Sequence, residues 1–473
     1  MKHTPSLLLS CVPLVVLVAL VGSVVSVFGQ DSLSGASQVA LLMASFLCIS
    51  IGLWGKWMTW DDFEKALSEK VSGVSSALFI LLFIGALGGA WMLSGVVPTL
   101  IYYGLEFLSP RWLLVASCLM CALVSVVTGS SWTTVATIGV ALIGIGQTMG
   151  ISSGWMAGAI ISGAYFGDKM SPLSDTTVLA SSTVGTPLFT HIRYMVYTTL
   201  PSMIVALLVF LWVGMGYTSM EATQVQLVQQ ALQNTFLISP WLFLIPVLTV
   251  LLIVRRQPPL VVLFLAVLMG VVAALLFQGE LVGTVGGNGS DALFRGTFTL
   301  VFGSTALDTG VEQLNELVST SGMAGMLDTI WLILCAMFFG ASMTASRMLE
   351  SLMLGFVRLV KGTASLVGST VLSGLFLNVV CADQYLSIIL SASMFKDMYQ
   401  QKGYEPRLLS RTCEDSITVT SVLIPWNTCG MTQSSVLGVS TFVYAPYCIF
   451  CWMSPLVSFL VACLGWKIVR RSA

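Results

Sequence analysis

Two aspartates and several hydroxyl side chains lie close together in the stretch GAYFGDKMSPLSDTT, residues 163–177. The candidate ligands in this stretch are Asp168, Ser171, Asp175 and Thr176. Because Pro172 disfavours one continuous helix here, backbone carbonyls near it are left without helical partners. Carboxylates, hydroxyls and free carbonyls are the groups that replace the water around a hard cation. The stretch therefore predicts a binding site for a small cation such as sodium.

A second group of polar residues follows in the other half of the chain. Its candidate ligands are Asp383 in VCADQYLS, Asp415 in RTCEDSITVTS and Asn427 in IPWNTC. Pro425 and Gly430 interrupt the apolar sequence there, as Gly129-Ser130-Ser131 and Pro172 do in the first half. A carboxylate removed from water also takes up a proton more readily than one in water. We therefore expect a proton to compete with the cation for such a group.

The chain around these residues has the composition of a membrane protein. Hydrophobic residues make up 56% of it and charged residues 9%, whereas soluble globular proteins carry about 25% charged residues. Nine apolar stretches are long enough, or nearly so, to cross roughly 30 Å of hydrocarbon as helices. They are residues 7–28, 39–55, 75–103, 112–127, 195–216, 258–277, 328–345, 364–380 and 433–465, the last with room for more than one crossing. The composition predicts an all-α polytopic membrane protein.

Several other classes of protein are disfavoured by the same sequence. The net charge of -1 gives no electrostatic footprint for nucleic acid. Histidine occurs only at positions 3 and 191, which excludes a histidine-rich metal site, and the eleven cysteines are interpreted as buried apolar thiols. No nucleophile with a neighbouring base is recognisable. We therefore expect neither an enzyme nor a bound cofactor.

The two halves of the chain resemble each other weakly. With an offset of about 250 residues, LFIGALGGAWML (82–93) aligns with MFFGASMTASRM (337–348), and Ser131 aligns with Asp383. Chance similarity between apolar segments is the alternative interpretation. The predicted boundaries are residues 1–473 for one integral membrane transporter domain, with approximate repeats at 39–216 and 258–465. Transporters with such repeats place their site near the bilayer midplane, between broken helices.

The distribution of basic residues indicates an orientation. Lysine and arginine are frequent near residues 56–70, 347–361 and 466–471, whereas residues 29–37 and 217–239 contain none. Because basic loops stay in the cytoplasm, we predict a multi-pass protein of the inner (cytoplasmic) membrane with both termini cytoplasmic. The first apolar stretch is interpreted as a retained helix rather than a cleaved signal peptide.

Two long segments resemble a known family. Residues 163–201, GAYFGDKMSPLSDTTVLASSTVGTPLFTHIRYMVYTTLP, resemble the signature of the NhaC-type sodium/proton antiporters, and residues 410–430, SRTCEDSITVTSVLIPWNTCG, resemble a second segment of that family. The resemblance implies two inverted repeats with broken helices and re-entrant hairpins, as in the ion-transporter superfamily. It also implies exchange of sodium for protons by alternating access. The family includes exchangers that couple sodium or protons to small carboxylates such as malate and lactate, so that alternative stays open.

The resemblance also implies which residues bind the cation. Carried over by motif, they are Asp168, Ser171, Asp175, Thr176, Asp383, Asp415 and Asn427. Val178 departs from the family pattern, which is often polar at that position. One interpretation of Lys169 is a solvated charge paired with Asp168, and one of Glu414 is a loop acid beside Arg407 and Arg411. If the transported solute is a small carboxylate, Lys169 and Arg411 are the candidates to bind it, provided that they face the cavity. The expected partners are the sodium ion, the proton and the lipid bilayer, with no nucleic acid, and a homo-oligomer is compatible with the sequence.

Overall fold

The computed structural model describes residues 4–28, 35–217, 222–255, 257–311, 314–315 and 318–470. The described chain is helical, with two isolated β-bridges and no longer strand among those residues. In chain order, the helices are α1 (Leu7–Phe28), α2 (Ala36–Trp54), α3 (Trp60–Leu93), α4 (Val96–Phe107), α5 (Pro110–Thr128), α6 (Ser131–Thr134), α7 (Val140–Thr148), α8 (Ser153–Met170), α9 (Asp175–Val184), α10 (Leu188–Gly214), α11 (Ala222–Thr235), α12 (Leu244–Val254), α13 (Pro259–Phe277), α14 (Gly279–Val285), α15 (Ala292–Phe302), α16 (Leu327–Ala345), α17 (Met348–Arg358), α18 (Thr363–Cys381), α19 (Gln384–Gln401), α20 (Pro406–Cys413), α21 (Thr428–Leu437), α22 (Thr441–Tyr444) and α23 (Ile449–Cys463). Two π-helical turns, Val135–Gly139 and Glu414–Thr418, follow α6 and α20.

Enough of these helices are long and apolar to confirm the predicted polytopic membrane protein. Eight of them could each cross a membrane. Two further helix pairs, Val225–Thr235 with Pro240–Val254 and Thr441–Tyr447 with Ile449–Cys463, pass the same test together but are bent by 88° and 52°. The described residues therefore contain eight to ten candidate membrane spans.

One predicted stretch is wrong, one contains more than one helix, as the sequence allowed, and one bent pair was missed. The stretch 75–103 is not one helix, because α3 ends at Leu93 and the chain turns through Gly95, whose φ of 82° is left-handed. The stretch 433–465 contains the end of α21 and a bend near Cys448. The bent pair in 225–254 was missed, because its first helix, ATQVQLVQQALQNT, is too polar for a hydropathy criterion.

Helices α5 and α8 pack side by side and run parallel. A Cβ atom at Gly163 would overlap the backbone carbonyl of Cys118, and one at Gly167 would crowd the carbonyl of Ala122. The Ser125 hydroxyl also donates to the Ala164 carbonyl at 2.6 Å. Small residues on α8 thus let the two backbones approach closely, as is common between membrane helices.

This close approach makes Gly163→Ala a test of the packing. The added methyl group has no room, so we expect a loss of about 1–3 kcal/mol in the free energy of unfolding. The matched control is Gly88→Ala on α3, where an added Cβ meets no atom within 4 Å. Thermal unfolding in detergent measures both variants. Equal melting temperatures for the two would contradict the parallel packing of α5 against α8.

The segment from α5 to α7 forms the first hairpin. Because α7 runs antiparallel to α8, with Gly139 beside Ile160 and Gly146 beside Met156, it also runs antiparallel to α5. The open end of this hairpin lies at the start of α8, and its tip lies at Gly129. The two arms of the hairpin therefore begin and end at the same end of the molecule, as in a re-entrant hairpin.

Helices α18 and α19 form the second hairpin, which enters from the opposite end. Their open ends are joined by hydrogen bonds between Thr363 and Tyr404 and between Thr370 and Tyr399. The end of α9 lies at this open end, since the Lys396 ammonium donates to the Thr183 carbonyl at 3.1 Å. Because α8 and α9 lead from the base of one hairpin to the base of the other, the two hairpins are inverted with respect to each other.

The tips of the two hairpins have the same backbone conformation. Gly129 and Ala382 are left-handed, with φ of 71° and 54°, and each is followed by an extended residue that begins the next helix, Ser130 or Asp383. In the alignment made from sequence Ser131, rather than Ser130, faces Asp383. The structure therefore pairs the tips one residue away from that alignment.

Candidate functional site

Asp168 lies where the tip of the first hairpin meets the break between α8 and α9. One carboxylate oxygen accepts hydrogen bonds from the Ser131 hydroxyl at 2.7 Å and the Ser131 amide at 3.2 Å. The other accepts from the Ser174 hydroxyl at 2.5 Å. The carboxylate is buried, with the residue 7% exposed. We call this meeting point of two interrupted helical segments the first crossing.

The local sequence explains why both segments are interrupted here. The Ser130 side chain caps α6 by accepting from the Thr133 amide at 3.2 Å, and Ser174 caps α9 by accepting from the Thr177 amide at 3.5 Å. Pro172 lies between α8 and α9, where no helical amide is needed. Asp168 therefore faces the N-terminal end of α6, which stabilises a negative charge.

The other residues predicted in this stretch lie on the same break. The Ser171 hydroxyl accepts from the Leu173 amide at 3.1 Å, and the Thr176 hydroxyl is 3.0 Å from the Ser174 hydroxyl. Asp175 is the first residue of α9 and is exposed. The first crossing thus has one buried acid, a cluster of buried hydroxyls and one accessible acid.

Asp383 and Asn427 lie at a second crossing, formed by the tip of the second hairpin and the break before α21. Asp383 caps α19 by accepting from the Leu386 amide at 2.8 Å. Asn427 caps α21 by accepting from the Cys429 amide at 3.1 Å, and its own amide donates to the Asn378 carbonyl at 3.0 Å. The two caps occupy the positions that Ser130 and Ser174 occupy at the first crossing.

Backbone and amide contacts hold the second crossing together. The Thr428 amide donates to the Ala382 carbonyl at 2.9 Å, which ties α21 to the hairpin tip. The Asn378 side chain donates to the Ile417 carbonyl at 2.8 Å and to the Thr420 hydroxyl at 3.0 Å. Sequence reasoning missed Asn378, because an asparagine within an apolar helix of that length has no distinguishing neighbour.

The structure places Asp415 in a buried charge cluster rather than at the caps of either crossing. One of its oxygens accepts from the Lys169 ammonium and from the Thr198 hydroxyl, the latter at 2.9 Å. The Arg411 Nε atom lies 3.6 Å from the other Asp415 oxygen, and the Lys169 ammonium also donates to the Ser454 hydroxyl at 2.9 Å. Lys169, Arg411 and Asp415 are fully buried. The cluster therefore joins α8, α10, α20 and α23 through ion pairs and hydrogen bonds.

This cluster overturns the interpretation of Lys169 as a solvated partner of Asp168. Lys169 follows Asp168 on α8, but successive helical side chains point about 100° apart. The two therefore face different neighbours, Asp168 the hairpin tip and Lys169 the π-helical turn.

Glu414 and Arg411 are buried as well and not in an exposed loop. Among the described residues neither Glu414 oxygen has a hydrogen-bond partner, and the Arg411 guanidinium has none either. The guanidinium lies 4.6 Å from the centre of the Tyr194 ring, a cation–π contact. The interpretation of Glu414 as a loop acid is therefore wrong.

The two crossings lie at the interface between the halves of the chain. Helix α9 packs against α19 and α20, and α21 packs against α6. Among these groups, the first crossing offers a cation a carboxylate and several hydroxyl oxygens whose protons can rotate away. The same carboxylate can instead hold a proton. This arrangement can bind a cation or a proton in turn, and its chemistry requires no covalent step.

Comparison with known proteins identifies relatives of this chain. The sequence profile of the "Na+/H+ antiporter family" matches residues 6–184 and 163–466. The Na+/H+ antiporter NhaC of Alkalihalophilus pseudofirmus is 36% identical over 89% of this chain and 89% of its own length.

Relatives with other substrates in their names are similarly close. The malate-2H+/Na+-lactate antiporter of Bacillus subtilis is 35% identical over 88% of this chain and 86% of its own length. The arginine/ornithine antiporter ArcD of Halobacterium salinarum is 31% identical over 94% of this chain and 93% of its own length. Because relatives of similar identity carry different solutes in their names, the transported solute is inferred from the site.

Proposed function

Because this chain belongs to the Na+/H+ antiporter family, we propose that it is a secondary active antiporter that exchanges sodium ions for protons across the cytoplasmic membrane. The observation that carries the proposal is Asp168 at the first crossing. Its carboxylate is buried among the hydroxyls of Ser131 and Ser174, with no fixed cation paired to it among the described residues.

The proposed exchange follows from the chemistry of that carboxylate. When Asp168 carries a proton, its carboxyl group is neutral and the site needs no cation to balance a charge. When the proton leaves, the negative charge and the hydroxyl lone pairs replace the water of a sodium ion. Sodium and proton exclude each other at one carboxylate, so reorientation carries one or the other. We propose Ser171, Asp175 and Thr176 as further oxygen donors or approach groups at the first crossing. Asp383 and Asn427 are the polar groups that the second crossing offers to a cation.

The inverted hairpins support alternating access between the two ends of the molecule. A cavity of about 1090 Å³ opens near the base of the first hairpin, and the side chains that line it in the described part of the chain are uncharged. It reaches the C-terminal ends of α7 and α21, whose partial negative charge favours a cation. Lys396, Arg407 and Lys467 mark the opposite end. We propose that this basic end faces the cytoplasm and that the repeats span 39–216 and 258–465.

Exchange of a small carboxylate is the second candidate, and the buried cations argue against it. A carboxylate substrate needs a cationic group that faces its cavity, and Lys169 and Arg411 were the sequence candidates. Both are fully buried, and Lys169 is already paired with Asp415. Sodium/proton exchange therefore fits the site better.

Purified protein in liposomes tests the function directly. We expect the internal pH to change when sodium is added outside, without malate, lactate or arginine present. Liposomes that contain no protein and liposomes given potassium serve as controls. If the pH changes only when one of the organic solutes is added with sodium, the proposed function is wrong and solute exchange is right.

A further inference from the structure

Lys70 is a charged residue that the proposed cycle does not use. It lies in the first half of α3, and the apolar, membrane-spanning part of the same continuous helix ends at Leu93. Its ammonium nitrogen is buried, and it has no hydrogen-bond partner among the described residues. A lysine within a membrane helix is costly and is a candidate for function by default.

The Lys70 side chain reaches toward the tip of the second hairpin. It passes Gly340 on α16, where a Cβ atom would lie 3.1 Å from the Lys70 ammonium and 3.1 Å from the Cys381 carbonyl oxygen. A side chain at position 340 would therefore crowd both groups. Gly340 leaves the space in which the ammonium approaches the end of α18.

The tip of the second hairpin offers negative charge to that ammonium. Cys381 is the last residue of α18, so its carbonyl belongs to the partially negative C-terminal end of the helix. Asp383 follows two residues later, and the Lys70 ammonium reaches this end of α18 beside Gly340. The ammonium makes no hydrogen bond within the described residues, so it acts on this tip through its charge.

The first crossing has no equivalent of Lys70 in the part of the chain that the structure describes. Asp168 accepts from two hydroxyls and an amide, and the adjacent Lys169 is turned to Asp415. The two crossings thus share their backbone geometry and each holds an aspartate. They differ in that a fixed positive charge lies near the tip of the second hairpin.

We infer that the Lys70 ammonium is a resident cation of the second crossing, so that only the first crossing binds an exchangeable sodium ion. A sodium ion at the second crossing would meet a like charge already fixed there. The inference rests on the proposed function and adds the number of exchangeable sodium ions for each chain. It makes Lys70 a residue that determines stoichiometry rather than a ligand.

Equilibrium binding of radioactive sodium to the purified full-length protein tests this inference. For the wild type we expect one sodium ion per chain without cooperativity. Lys70→Gln should bind two, because the second crossing is freed of its fixed charge. Lys70→Arg keeps the charge and should bind one, as should the control Lys65→Gln, which removes an exposed lysine of the same helix.

A second measurement does not depend on how Lys70→Gln folds. If only the first crossing binds sodium, Asp168→Asn should remove all sodium binding from an otherwise wild-type chain. One sodium ion that remains bound to Asp168→Asn, or two bound to the wild type, would overturn the inference. Failure of the proposed function is seen separately, as absence of a sodium-driven pH change in wild-type liposomes.

Discussion

Asp168→Asn is expected to abolish sodium-driven proton movement in liposomes while the protein still folds and inserts. The asparagine keeps the shape and the contacts with Ser131 and Ser174, but it removes the charge. Loss of one partner from a buried charge pair costs about 3 kcal/mol or more, which is roughly a 100-fold loss of sodium affinity. The rate of internal pH change after a sodium pulse, in liposomes of equal protein content, is the measurement.

Asp175→Asn is the matched control for this prediction. Asp175 lies on the same break but is exposed, so its charge is screened by water and contributes about 1 kcal/mol or less. We expect the control to slow exchange moderately. If Asp175→Asn abolishes exchange and Asp168→Asn does not, the ion binds at the start of α9 and the first crossing has been assigned to the wrong acid.

The same variant tests whether proton and sodium share one group. Competition by a single proton lowers the apparent sodium affinity by about tenfold for each pH unit below the pKa of that group. By reciprocal linkage, sodium binding must release protons, which calorimetry in buffers of different ionisation enthalpy counts. Both effects should disappear in Asp168→Asn. Sodium affinity that is flat in pH for the wild type would indicate separate sites coupled only through conformation.

The helix breaks at the crossings could be predicted, because their causes are local. Glycine at 129, prolines at 172 and 425, and the capping residues at 174, 383 and 427 each act on the backbone within a few residues. The sequence therefore indicated where chain segments stop. It also indicated that acids and hydroxyls would gather there, since those residues lie beside the breaks.

The partners of the charged residues could not be predicted in the same way. Lys169 and Asp415 are 246 residues apart, and their ion pair depends on how α8 and α20 pack. The sequence places Lys70 in a basic cytoplasmic loop, because lysine is frequent near residues 56–70. The structure makes residues 60–73 the start of a continuous 34-residue helix, which carries Lys70 inward toward the second hairpin.

The surroundings of Asp415 likewise depend on how distant helices pack. By motif it resembles a cation ligand, like Asp168, yet it is surrounded by two cations and a hydroxyl. Asp415→Leu should lower the free energy of unfolding by about 3–5 kcal/mol, because Lys169 and Arg411 would remain buried without their carboxylate. The measurement is thermal unfolding in detergent.

A double variant separates the ion pair from a role in binding. Lys169→Met with Asp415→Leu removes one charge of each sign and fills the space with apolar atoms, so we expect it to be more stable than Asp415→Leu alone. If Asp415 serves mainly to neutralise Lys169, the double variant also keeps sodium affinity, since the first crossing is intact. Sodium affinity that is lost in the double variant, although stability returns, would show that Asp415 contacts the ion, and the charge cluster would then be part of the transport site.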